Sequence, residues 1–115
     1  MSERPELLDY TIFFEAEPTI LHPEIGWYVG AQFDSVRGES RIRATVAPDE
    51  GEFLFKWWEN ELPRADLTLQ GVVGWNIDSK PGNESLLLKF HQEGIQYFIV
   101  QLKPHISISC VVQWG

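Results

Sequence analysis

Apolar residues recur at every second position over most of this chain, and turns bearing glycine or proline cut the pattern into segments of strand length. The clearest segment follows Pro104, where Ile106, Ile108, Cys110, Val112 and Trp114 alternate with Ser107, Ser109, Val111 and Gln113. A period of two sends alternate side chains to opposite faces, so the first set is expected to face a core, with Cys110 inside it. Upstream, residues 86–91 and 95–102 flank Gln92-Glu93-Gly94, a three-residue loop whose closing glycine suits the left-handed position of a bulged hairpin. Lys80-Pro81-Gly82-Asn83 has the order of residues that a type II turn requires, so the chain is expected to reverse there. Residues 65–77 alternate through Leu67 and Leu69 and then meet Gly71 and Gly74, which predicts one bent strand with a bulge or close backbone approach.

In the first half, residues 27–33 alternate Trp27, Val29, Ala31 and Phe33 against Tyr28, Gly30 and Gln32. Residues 34–39, with Gly38, form the expected turn. Residues 41–46 then turn Ile42, Ala44 and Val46 inward and Arg41, Arg43 and Thr45 outward, giving a hairpin. Residues 9–14, rich in aromatic and β-branched side chains, read as a first strand, and Glu17-Pro18 and His22-Pro23 as the loop after it. Residues 52–62 admit two forms. A helix gathers Phe53, Leu54, Trp57, Trp58 and Leu62 on one arc, with Glu61 awkwardly in its middle. A strand puts Phe53, Phe55 and Trp57 on one face and Leu54 and Trp58 on the other, which demands burial on both sides. The helix is favoured. The fold class expected is mainly β, all-β leaning to α+β, with about six to eight strands in an antiparallel curved sheet or barrel-like sandwich and the one helix near residues 52–62.

A length of 115 residues suits one domain, 1–115, with residues 1–6 loose. Nine Lys and Arg against seventeen Asp and Glu give a net charge of −8, which repels phosphate backbones and anionic lipid, so neither nucleic acid nor membrane is expected as a partner. The excess is uneven: residues 1–66 hold fourteen acids and six bases, residues 67–115 three of each. The lone cysteine, Cys110, can make no intrachain disulfide and falls short of a zinc set. The start has no cationic flank before an apolar run, and a cytoplasmic location is expected.

Catalytic patterns are missing. There is no glycine-rich phosphate loop and no H-E-x-x-H, and Gly38-Glu39-Ser40-Arg41-Ile42 lacks the closing glycine of a nucleophile elbow. His91-Gln92-Glu93 imitates part of a zinc deaminase signature without its cysteines. His22, His91 and His105 sit in loop-forming contexts without ligand spacing, so no metal, no cofactor and no enzymatic activity are expected.

Two groups of side chains stand out. Consecutive Trp57 and Trp58 must point in different directions, and Asp49, Glu50, Glu52, Glu59 and Glu61 surround them in sequence. A surface tryptophan ringed by carboxylates suits a cationic partner. Arg37, Arg41 and Arg43 form the one basic cluster; they either hold an anion or, as preferred here, are neutralised by acids on an adjacent strand. The function expected is a non-enzymatic acidic binding protein that captures a basic protein partner, as an inhibitor or immunity-type protein does. The alternative is a small β-barrel or curved sheet holding a small apolar or anionic ligand, with Arg41 or Arg43 as its anchor. Oligomeric state is left open, because edge strands also pair between chains.

Overall fold

The computed structural model describes residues 4–90 and 94–113. The chain is mostly strand, with one α-helix, and divides into two compact units: Phe14–Gln70, and Met1–Phe13 together with Gly71–Gly115. Residues 91–93 of the expected hairpin loop, and Trp114, lie outside the described residues.

The unit Phe14–Gln70 is an antiparallel meander of β1 (Thr19–Ile20), β2 (Ala31–Arg37), β3 (Ser40–Ala47), β4 (Glu52–Glu59) and β5 (Leu62–Leu69), adjacent in that order. Its register brings the inward residues of each strand into rows. Ala31, Val46, Phe53 and Leu69 form one row, and Phe33, Ala44, Phe55 and Leu67 the next. Phe33, Phe53 and Phe55 are fully buried, Phe53 and Phe55 with ring centres 6.0 Å apart, and Phe14 stacks on Phe33 at 5.0 Å. Rings of this size stabilise by about 1.5–3 kcal/mol each when they leave water.

Here the favoured helix over 52–62 is corrected. The stretch is β4 and the start of β5, because β3 and β5 satisfy the backbone of β4 from both sides and both of its faces find cover: Phe53 and Phe55 are buried on one, Leu54 half-buried on the other. The misplaced Glu61 is thereby explained. Asn60 and Glu61 both have positive φ, 51° and 64°, and form a two-residue hairpin turn whose twist matches the flanking strands. Residues 27–33 are also shorter as a strand than their alternation implies. Trp27–Val29 is a 3-10 turn set between Gly26 and Gly30, and the strand begins at Ala31 and runs on to Arg37.

In the other unit, β6 (Val72–Lys80), β7 (Asn83–Phe90), β8 (Gly94–Gln101) and β9 (Ser107–Gln113) form a second antiparallel meander. The turn at Pro81-Gly82 and the pairing of β7 with β8 are as expected, Gly82 taking φ 74°. The single bent strand over 65–77 is not: Gly71, at φ 81°, breaks it, and β5 and β6 belong to different sheets. The expected bulge is present at Val73, next to Gly74, and a Cβ added at Gly74 would lie 3.1 Å from that of Lys89.

Residues 9–14 are corrected from strand to helix. In α1 (Leu7–Phe14) the Asp9 carboxylate accepts from the Glu6 N–H at 2.7 Å, the reaching-back half of a capping box, and the burial of Tyr10, Phe13 and Phe14 follows a helical spacing. Within its unit Tyr10 meets Trp75 edge to face at 6.4 Å.

Cys110 is the remaining correction. It shares the row Trp75, Leu88, Phe98 and Cys110 on the core face of the second sheet, but β9 is the edge strand and Cys110 is exposed. Alternation identifies a face correctly and cannot say how far its cover extends. Both sheets are open, ending at β1 and β5 and at β6 and β9, so no barrel closes.

Candidate partner-binding site

A meander returns alternate turns to the same end of its sheet. The β2–β3 turn at Gly38-Glu39 and the β4–β5 turn at Asn60-Glu61 therefore lie side by side, tied by the Asn60 N–H donating to the Glu39 carbonyl at 2.9 Å. With its amide nitrogen turned toward Glu39, the Asn60 side chain also donates to both carboxylate oxygens, at 2.9 and 3.2 Å. Ser40 donates its hydroxyl to Glu59 at 3.3 Å. The result is a sheet end carrying Glu39, Glu59 and Glu61.

Trp58 is the apolar centre of this end. It is half-buried on the outer face of the sheet, and the register sets Val36, Arg41, Trp58 and Pro63 in one row. The Arg41 guanidinium lies 4.0 Å from the Trp58 ring centre and 3.5 Å from Glu61, so a cation already covers one side of the indole while a carboxylate holds that cation in place. Val36, 72% exposed, lies in the same row on the other side of Arg41. Trp57 points to the opposite face, in a row with Ile42 and Ala65, and its buried indole N–H has no hydrogen-bond partner among the described residues. Strand alternation alone separates the two rings; the irregularity in the pairing with β5 falls on Arg64, which has no opposite residue on β4.

The seven acidic and tryptophan residues singled out in the sequence do not form one patch. Trp58, Glu59 and Glu61 come together, with Trp57 behind them. Asp49 and Glu50 lie in the 3-10 turn Pro48–Glu50 and Glu52 opens β4, where it accepts from Gln70 at 3.3 Å. Seven residue steps of β4 separate Glu52 from Glu59, about 23 Å of extended chain. Glu39 and Val36 are the members that sequence inspection missed. Reading β4 as a strand would have found Glu39, because the two turns then fall at one end.

Each arginine of the basic cluster has a carboxylate. Arg43 meets Asp34 across the β2–β3 pair at 2.7 Å, Arg41 meets Glu61, and Arg37 meets Glu15 at 3.2 Å while donating to the Phe14 carbonyl at 3.3 Å. An anion at these positions would have to displace an acid. The outer face of the same sheet has a depression of about 340 Å³, with Leu21, Val29 and Leu54 beside Gln32, Arg43 and Lys56, open to solvent and not a barrel interior. Among the described residues no three His, Cys, Asp or Glu side chains gather where they could hold a metal ion, and no helix is long and apolar enough to cross a membrane. His22 and His105 are exposed, and His91 lies outside the described residues.

The molecule is thus a pair of open antiparallel sheets with an acidic, tryptophan-centred end on one of them. No protein-family model matches the sequence, and neither does any curated protein. Among solved structures the chain is similar to one in a contact-dependent growth inhibition toxin–immunity protein complex from Klebsiella pneumoniae 342, with a TM-score of 0.78 at 13% identity over 96% of both chains. At that identity the likeness is one of fold.

Proposed function

We propose that this chain is a non-enzymatic, immunity-type binding protein that captures a basic protein partner and blocks its activity. The observation that carries this reading is the fold shared over 96% of its length with a chain of a toxin–immunity protein complex. The net charge of −8 supports a basic partner, since carboxylates on one surface raise the encounter rate with a cationic one. The turn end of the first sheet supplies the contact: Glu39, Glu59 and Glu61 attract the partner, and Trp58 with Val36 gives the apolar anchor that slows its release.

Affinity capture from a lysate of the source cells at low salt, followed by a salt gradient, tests the proposal. The expected result is one basic protein released at a defined salt step, whose expression alone arrests growth and whose arrest this chain relieves when co-expressed. A folded bait that retains no basic protein, or a captured protein whose effect the chain does not relieve, contradicts it.

A further inference from the structure

The two sheets defend their edges unequally. A free strand edge presents a row of backbone N–H and C=O groups that pair with any strand able to reach them, and folded proteins block this with proline, charge, bulges or very short strands. In the first sheet β5 carries Pro63, Arg64 and Asp66, and β1 is two residues long. In the second, β6 is bulged at Val73 and carries Asp78 and Lys80. β9 has none of these devices. Ser107–Gln113 holds no charge and no proline, and the bulge in its ladder falls on β8 at Gln96, so β9 itself stays regular. Among the described residues no strand pairs with its outer edge. Cys110 is exposed, as are Val111 and Val112 at 46% and 44%.

The pattern of β9 selects a second copy of this chain as the occupant, and the small charge of its unit opposes that only weakly. The unit that carries β9, residues 1–13 with 71–115, holds six acids and four bases, so two such units repel only weakly, whereas residues 14–70 hold eleven acids against five bases. A basic partner is drawn to the latter, and an uncharged strand offers it no field to follow. Identical strands also match: antiparallel pairing about a two-fold axis at Cys110 sets Ile108 opposite Val112 and Cys110 opposite Cys110. That register continues the core-face rows, Ile77, Leu86, Val100 and Ile108 in one and Trp75, Leu88, Phe98 and Cys110 in the other, into the apolar row of the second chain. We propose that β9 pairs with β9 of a second copy across this axis, joining two four-stranded sheets into one continuous sheet. The proposal is independent of the partner-binding reading, whose surface lies on the other sheet.

Sedimentation equilibrium of the full chain, with reductant, at low and high salt tests it, together with Val112→Lys, a change at an exposed side chain whose fold is checked by circular dichroism. The expected mass is twice the 13.3 kDa of one chain at both salt concentrations, and one chain for Val112→Lys. Oxidised glutathione then reports the register. Opposite residues of an antiparallel pair have Cα atoms about 4.5 or 5.5 Å apart, both within the span of a disulfide. Two Cys110 thiols reduce one oxidised glutathione to two glutathiones and are left joined by one interchain bond, with a yield at least tenfold lower for Val112→Lys. A single-chain mass throughout, a dimer dissolved by salt, a dimer that persists in Val112→Lys, or a dimer without the Cys110 cross-link overturns the proposal.

Discussion

Glu61 occupies a backbone conformation that its own side chain makes costly. At φ 64° it stands where two-residue hairpin turns prefer glycine. A left-handed conformation costs an ordinary residue about 1–2 kcal/mol, and glycine returns about 0.5–1 of that through the freedom of its unfolded chain. Glu61→Gly is therefore expected to raise stability by about 0.5–1 kcal/mol in urea denaturation, since the exposed bridge to Arg41 contributes little, while weakening capture of the partner. No change or a loss of stability would remove the case for strain kept at a functional turn. Tyr10 gives a second test at this scale. Burial pushes its phenol well above its ordinary value of 10.0, with Arg4 opposing and Asp9 adding to the shift. The unfolded chain then releases the proton first, so stability present below pH 10 falls as pH rises further, by about 1.4 kcal/mol per unit from this group. Tyr10→Phe should flatten that decline, and an unchanged slope would show that the phenol ionises freely in the folded chain. Burial of this kind is not legible in the sequence, where composition alone speaks for Tyr10 and alternation alone for Cys110.

At the scale of elements, the hairpins and turns of the second sheet were legible because their patterns are local: Pro81-Gly82 fixes its own dihedrals, and Gly74 marks the bulge next to it. Elements whose form depends on distant neighbours were not. β4 contains residues that suit either a helical arc or a two-faced strand, and only the presence of β3 and β5 on its flanks decides between them. Residues 9–14 show the reverse, a strand-like composition held as helix by Asp9 at its start and by the burial of one face. Phe55 distinguishes the two forms of β4 in solution. It lies off the apolar arc of the helix, yet the strand buries it completely, so Phe55→Ala is expected to cost about 3–5 kcal/mol in denaturant unfolding. A loss below 1 kcal/mol, the range of a surface change, would contradict the strand.

For the whole molecule, the distribution of charge was legible and its placement was not. Counting located the acidic excess in residues 1–66, but only the order of strands shows that Glu59 and Glu61 join Glu39 while Asp49, Glu50 and Glu52 lie at the far end of β4. The sequence marks Trp57 and Trp58 as a pair that must diverge; both are half-buried, and the coupling of Trp58 to Arg41 emerges only from the β3–β4 register. An electrostatically guided complex makes a specific demand on kinetics, because salt screens exposed charges beyond about 8 Å at physiological strength and leaves short-range packing nearly intact. The decisive measurement is the association rate of the captured basic protein across a series of salt concentrations, for the native chain and for Glu39→Lys with Glu61→Lys. We expect a steep fall with salt for the native chain, a much slower and flatter rate for the variant, and a larger difference at low salt than at high. Equal rates with equal salt dependence would contradict an acidic capture surface at this end of the sheet.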